Sequence, residues 1–177
     1  LAVIVQADDD LVGVADGGPL VDDLDLPGID VRHPRFPTPA VGLLTHSMRA
    51  DLGIMISASH NPAEDNGLKV LSGKGLKLDD EMEEELESLI VRSEELGSPR
   101  NDELGRVIDS RDDMRHYLEH RLGMAGRIGS DLRIHVDCAH GSASAVAGEI
   151  LSASGADVTT HYHEPDGLNI NRGCGAT

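Results

Sequence analysis

Two serines, a histidine and an asparagine stand close together in the chain, directly after a short apolar segment. Their string is Ser57-Ala58-Ser59-His60-Asn61. A serine hydroxyl can act as a nucleophile or carry a phosphoryl group when a base lies nearby and backbone N–H groups face the anion. The alternative is a turn whose serine hydroxyls bond only to their own backbone. From this short string alone, the turn is the favoured interpretation.

The segment before these serines, residues 52–56, has the length and branched side chains of a buried strand. Pro62 ends the polar stretch, because its ring lacks an N–H and disfavours a helical residue before it. The serines and the histidine are therefore expected on a loop at the end of a buried strand. In open α/β sheets, ligands bind at that position.

A second motif follows the serines, and its residues are Asp65-Asn66-Gly67-Leu68-Lys69. Together, the serine string and this motif at this spacing closely resemble the phosphoserine loop of the α-D-phosphohexomutases. The resemblance implies that Ser59 carries the phosphate and that Ser57 is only its neighbour in the loop. It also implies that His60 and Lys69 position the transferring phosphoryl group and move protons around it.

The composition and net charge of the chain restrict the classes of partner that it can bind. The chain has 177 residues and a net charge of −17, which argues against nucleic-acid binding because phosphate contacts need a basic surface. No apolar run is long enough for a transmembrane helix. An anionic phosphosugar substrate would therefore depend on local positive groups such as Lys69. Two cysteines, Cys138 and Cys174, are too few for a disulfide framework and fit a reducing cytoplasm.

Residues 1–127 are predicted to form one α/β domain that carries the phosphoserine loop. Strands are predicted at residues 2–5 and 29–31. Between residues 11 and 28, glycines, a proline and aspartates interrupt the periodicity, so no regular element is predicted there. The phosphohexomutases usually have an arginine-containing loop and an amphipathic helix in this region, and this chain differs from them.

Helices and a hairpin are predicted around the serine loop. Thr38 is the predicted N-cap of a helix whose first residue is Pro39. A hairpin is predicted over residues 68–78, around a glycine-rich turn. An acidic helix is predicted from residue 79 to about 96, and another helix over about 110–122.

A second domain is predicted to begin at residue 128, after a glycine-rich boundary. A strand over 132–136, a helix over 142–154 and a strand over 158–162 form a βαβ unit, which implies a parallel strand pair. The predicted fold class is α/β, with a mixed, largely parallel sheet and flanking helices, plus the start of a second, similar domain. Since so short a unit cannot cover its own faces, more chain is expected after residue 177.

The turn after the first strand of this unit reads Asp137-Cys138-Ala139-His140-Gly141. It resembles the opening of the second domain of the phosphohexomutases, where asparagine usually stands in place of His140. The histidine is predicted to hydrogen-bond within the turn. Cys138 is predicted to be a buried small hydrophobe.

The closing segment, residues 165–177, resembles that of the phosphohexomutases that act on glucosamine phosphates. The resemblance implies interconversion of glucosamine 6-phosphate and glucosamine 1-phosphate through a phosphoserine and a 1,6-bisphosphate, for UDP-N-acetylglucosamine synthesis. It implies Mg²⁺ bound to the phosphate on Ser59, with its remaining ligands beyond residue 177, so these residues alone are expected to be inactive. The alternatives are a mutase for mannose or glucose phosphates and a sugar-phosphate-binding domain without catalysis.

Overall fold

A computed structural model of the chain describes residues 2–6, 11–15, 36–96, 106–109, 113–124, 126 and 130–176. The predicted strand at 29–31 and the predicted domain boundary at 127/128 lie outside or beside these ranges, and both stay predictions. Within the described ranges, no helix has the length and apolar character needed to cross a membrane.

A five-stranded sheet, in the order β4-β3-β1-β2-β5, forms the larger layer. Its strands are β1 (Ala2–Gln6), β2 (Leu11–Ala15), β3 (Leu52–Ile56), β4 (Leu68–Ser72) and β5 (Arg106–Asp109). β1 is antiparallel to β2 and β3, β3 is antiparallel to β4, and β2 is parallel to β5.

The predicted α/β class and the mixed sheet are confirmed, but this sheet is mainly antiparallel where a largely parallel one was expected. For β1 and β2 the reason is the length of their connection. Four residues separate these two strands, and a parallel crossover needs about a dozen or more. The strand β2 was also missed by sequence reasoning, because Gly13 interrupts its short apolar run.

Helix α1 (Thr38–Ser47) packs against β1, β3 and β4 and lies at the centre of the core. The predicted N-cap is wrong by one residue: the N-cap is Pro37, and Thr38 is already helical. The carbonyl oxygen of Pro37 accepts hydrogen bonds from the N–H groups of Ala40 and Val41, so the first helical turn begins there. The buried residues of this core are Phe36, Ala40, Val41, Leu44, Ala50, Met55, Leu71, Met114, Tyr117 and Val146.

After β4, the predicted hairpin is reduced to a single antiparallel bridge between Leu71 and Lys77, and three further helices follow. These are α2 (Asp80–Val91), α3 (Ser93–Leu96) and α4 (Asp113–Met124). Asp79 is the N-cap of α2, and its carboxylate accepts the N–H of Met82 at 3.0 Å, which matches the predicted helix start. The predicted helix over 79–96 is divided into two pieces, α2 and α3.

The βαβ unit is confirmed by β6 (Arg133–Asp137) and β7 (Asp157–His161), which form a parallel pair. The connection contains a 3-10 helix (Ser142–Ala145) followed by α5 (Ala147–Ala153). Val146 is buried in the same core cluster as α1, and Ile150 packs against that cluster. This packing holds the βαβ unit against the core built around α1.

Replacing Gly53 by alanine is expected to destabilise the protein. A Cβ atom there would overlap Thr45 Oγ1 and lie 3.2 Å from Val41 Cγ1, both in the fully buried face of α1. Overpacking of this kind costs about 1–3 kcal/mol, which chemical denaturation would measure as a lower free energy of unfolding. Gly123→Ala is the control, since nothing lies within 4 Å of its added Cβ. Equal stability of the two variants would contradict this packing.

Candidate active site

The serine loop, residues 57–67, connects β3 to β4. One hydrogen bond between backbone groups closes it. The N–H of Ser57 donates to the carbonyl oxygen of Gly67 at 2.8 Å, which ties the two ends of the loop together. The N–H of Ser59 donates to Ser57 Oγ at 3.0 Å. Ser59 has a φ of 64°, a left-handed conformation that is uncommon for a residue with a side chain. The loop therefore turns sharply at Ser59, whose side chain is exposed.

Asn61, Pro62 and Asp65 stabilise the loop through hydrogen bonds to one another. Asn61 Nδ2 donates to Asp65 Oδ2 at 3.0 Å, and the N–H of Asp65 donates to the carbonyl oxygen of Pro62 at 3.0 Å. His60 is exposed beside Ser59. Asn61 and Asp65 thus shape the loop, and the imidazole of His60 is accessible to a ligand.

Lys69 lies on β4, directly opposite Met55 on β3. Opposite residues of an antiparallel pair point to the same face of the sheet, and Met55 faces the buried side. Ser59, His60 and Lys69 all line one cavity of about 610 Å³. The three residues that the sequence pattern selected are therefore brought together.

The turn after β6 also lines this cavity. Asp137 Oδ1 accepts the N–H of Ala139 at 2.8 Å, and Asp137 Oδ2 accepts the N–H of Gly175 at 2.9 Å. The Gly175 bond, followed by the Ala139 bond, lowers the pKa of this carboxyl below its ordinary value. Asp137 therefore stays ionised and holds the closing segment against the turn.

Asn171 connects the two walls of the cavity. Its backbone N–H donates to the carbonyl oxygen of Ala139 at 3.0 Å, and its Nδ2 donates to the carbonyl oxygen of Asn61 at 3.2 Å. Gly175 has a φ of 85°, and an added Cβ would lie 3.1 Å from Asn171 Oδ1. Sequence reasoning missed this bridge, since an asparagine in a Gly- and Asn-rich loop carries no signal of its distant partner.

The two cysteines lie close to the turn after β6. Both are free and buried, which confirms the prediction for Cys138. Burial raises the pKa of each thiol, and the charge of Asp137 raises both further. Thiolates are therefore disfavoured here, and the cysteines act as small packing residues.

His140 differs from its sequence expectation. Its backbone N–H donates to the carbonyl oxygen of Tyr162 at 2.6 Å. However, its imidazole Nδ1 is enclosed and has no hydrogen-bond partner among the described residues. Nδ1 therefore makes no hydrogen bond within the turn, and His140 forms part of the cavity lining.

Most of this chain is similar in sequence to known proteins. Residues 27–96 match the family described as phosphoglucomutase/phosphomannomutase, alpha/beta/alpha domain I. A phosphoglucosamine mutase from Jannaschia sp. is 51% identical over 80% of this chain and 32% of its own length. One from Symbiobacterium thermophilum is 46% identical over 79% of this chain and 31% of its own length. The chain thus spans about a third of the length of these relatives.

A solved structure supports the fold. The phosphoglucomutase/phosphomannomutase family protein of Burkholderia thailandensis superposes with a TM-score of 0.61 at 23% identity, over 90% of this chain and 37% of that one. At this identity the likeness concerns the fold alone. Residues 27–96 thus match domain I of the phosphoglucomutase/phosphomannomutase family, and most of the chain is similar in sequence to phosphoglucosamine mutases.

Proposed function

We propose that the protein to which this chain belongs is a phosphoglucosamine mutase, which interconverts glucosamine 6-phosphate and glucosamine 1-phosphate. The observation that carries the proposal is the single cavity lined by Ser59, His60 and Lys69, with the Ser59 side chain exposed at its wall. The relatives that are 46–51% identical over most of this chain are named phosphoglucosamine mutases, which supports the choice of sugar.

The proposed reaction uses Ser59 as a phosphate carrier. A hydroxyl oxygen of the sugar phosphate attacks the phosphorus on Ser59, the bond to Ser59 Oγ breaks, and a 1,6-bisphosphate forms. His60 accepts the proton of the attacking hydroxyl, and the Lys69 ammonium offsets the charge on the phosphoryl oxygens. After the bisphosphate has turned over, Ser59 Oγ takes back the other phosphoryl group. Phosphoryl transfer depends mainly on such positioning and charge neutralisation.

The phosphate on Ser59 is the one Mg²⁺ ligand that we propose within this chain. Ser59 would hold Mg²⁺ through its phosphate, and the ion would neutralise phosphoryl charge when bound. Within the described residues, no group of three or more His, Cys, Asp or Glu side chains could hold a metal ion. From the resemblance to the phosphohexomutases, the remaining ligands are proposed to lie beyond residue 177.

The proposed setting is the cytoplasm, and the proposed partner is a phosphosugar. Cys138 and Cys174 support a reducing compartment because both are free thiols. The net charge of −17 disfavours nucleic acid as a partner. Within the cavity, Lys69 supplies the positive charge that an anionic substrate needs.

The second candidate is a mutase for mannose or glucose phosphates. It is favoured by the family match, whose description names phosphoglucomutase and phosphomannomutase. Comparing kcat/KM of the full-length protein for glucosamine 6-phosphate, mannose 6-phosphate and glucose 6-phosphate separates the two candidates. A sugar-phosphate-binding domain without catalysis would turn over none of them.

Ser59→Ala is expected to abolish phosphorylation of the enzyme, because the proposed carrier oxygen is removed. The full-length protein is incubated with glucosamine 1,6-bisphosphate labelled with ³²P, and the label is located by peptide mapping. Ser57→Ala is the matched control and is expected to retain the label on Ser59. Label on another residue, or none on a folded wild-type protein, would refute the carrier role.

Residues 1–177 alone are expected to show little or no turnover of glucosamine 6-phosphate. The described residues provide no complete metal site, and the chain spans only 32% of its Jannaschia relative. A coupled assay for glucosamine 1-phosphate, with the full-length protein as positive control, measures this. Turnover by the isolated chain at a comparable rate would show that these residues form a complete site.

Asn171→Gly is expected to lower kcat/KM of the full-length protein by about 2- to 10-fold, the range for losing one hydrogen bond. Glycine keeps the left-handed backbone at this position, where φ is 57°, so the change isolates the bond to Asn61. Asn169→Ala is the control, since its side chain bonds only to its own segment, at Glu164 and Asp166, within the described residues. Equal activity of N171G and wild type would mean that the bridge does not position the serine loop.

A further inference from the structure

The hydroxyl oxygen of Ser57 is bonded to the backbone of the proposed phosphate carrier. The N–H of Ser59 donates to Ser57 Oγ at 3.0 Å, two residues back along the chain. Ser57 and Ser59 also line the same cavity. Serine hydroxyls form local bonds of this kind in turns, and this bond fixes where the backbone nitrogen of Ser59 lies.

The backbone conformation of Ser59 needs such support. Its φ of 64° lies in the left-handed region, where the Cβ atom of an L-residue crowds the following carbonyl oxygen. Within residues 57–67, all of which the structure describes, Ser59 is the single residue with a positive φ. A conformation of this kind persists only where the surrounding structure holds it, and it points to a functional role.

Two hydrogen bonds hold Ser59 in this conformation. One is the bond to Ser57 Oγ, and the other is the turn bond from the N–H of Asn61 to the carbonyl oxygen of Ala58, at 3.3 Å. In that turn Ser59 is the second residue, and a positive φ at this position ordinarily calls for glycine, asparagine or aspartate. A serine there therefore depends on the additional bond that the side chain of Ser57 provides.

Ser57 is itself fixed to the sheet that carries Lys69. Its N–H donates to the carbonyl oxygen of Gly67 at 2.8 Å, directly beyond the paired residues of β3 and β4. A Cβ atom added at Gly67 would lie 3.2 Å from the carbonyl oxygen of Ser57, so the two backbones approach closely. Ser57 therefore connects the register of these strands, which places Lys69, with the conformation of Ser59.

The conformation of Ser59 matters because φ decides the direction in which its side chain leaves the loop. Phosphoryl transfer needs the attacking and leaving oxygens roughly in line, and a small misplacement lowers the rate. If part of the population adopts another backbone conformation, only the remaining fraction is competent. A hydroxyl that keeps Ser59 left-handed raises that fraction.

We propose that Ser57 is a positioning residue for the phosphoryl transfer, whose hydroxyl oxygen holds Ser59 in the left-handed conformation from which its Oγ receives and donates the phosphoryl group. The inference rests on the proposed function. It adds a role for Ser57, which the resemblance to the phosphohexomutases leaves as a neighbour in the loop.

The test measures how fast and how far Ser59 is labelled. The full-length wild type, Ser57→Ala and Ser57→Thr are mixed with ³²P-labelled glucosamine 1,6-bisphosphate and quenched at intervals. Ser57→Ala is expected to take up label about 2- to 10-fold more slowly, the range for losing one hydrogen bond between uncharged groups. Its final extent of labelling is expected to match wild type, because the carrier oxygen is still present. Ser57→Thr keeps the hydroxyl and is expected to take up label faster than Ser57→Ala.

Ser72→Ala is the matched control. The hydroxyl of Ser72 donates to the carbonyl oxygen of Leu76 at 3.1 Å, and Ser72 does not line the cavity. This variant should take up label at the wild-type rate, and thermal unfolding should show that all variants are folded. A wild-type rate in Ser57→Ala, or equal rates in the Ala and Thr variants, would overturn the role of the Ser57 hydroxyl alone. A folded wild-type protein that takes no label on Ser59 would refute the proposed function, and this inference would fail with it.

Discussion

The pairing of β3 with β4 is the constraint on which the site depends. Met55 stands opposite Lys69, and the bond between Ser57 and Gly67 closes the loop immediately beyond the ladder. Successive side chains of a strand point to opposite faces, so a shift of one residue in this register would turn Lys69 away from the cavity. The serine, the histidine and the lysine are thus kept together by backbone geometry rather than by bonds between their side chains.

The second wall of the cavity depends on packing and on one bridging residue. Val146 joins the core built around α1, which brings the turn after β6 towards the serine loop. Asn171 then bonds to both Ala139 and Asn61. Phosphoryl transfer places strict demands on alignment, and a cavity with two connected walls can meet them.

The sequence predicted best those features that depend on residues close together in the chain. The strand before Ser59, the loop that carries Ser59 and the parallel βαβ unit all follow from apolar runs and turn residues. Strand direction in the first sheet was not predictable from the apolar pattern, which is the same for buried strands of either direction. Nor could the sequence reveal the bond between Asn171 and Asn61 or the enclosed Nδ1 of His140, since both depend on residues that are distant in the chain.

The central claim is that the phosphoryl group passes between Ser59 and the sugar. A single-turnover experiment tests it most directly: the full-length protein, labelled with ³²P on Ser59, is mixed with an equal amount of glucosamine 6-phosphate and quenched at intervals. The account predicts that label leaves Ser59 and appears in the sugar bisphosphate as fast as the first turnover. Label that stays on Ser59 while glucosamine 1-phosphate forms would contradict it.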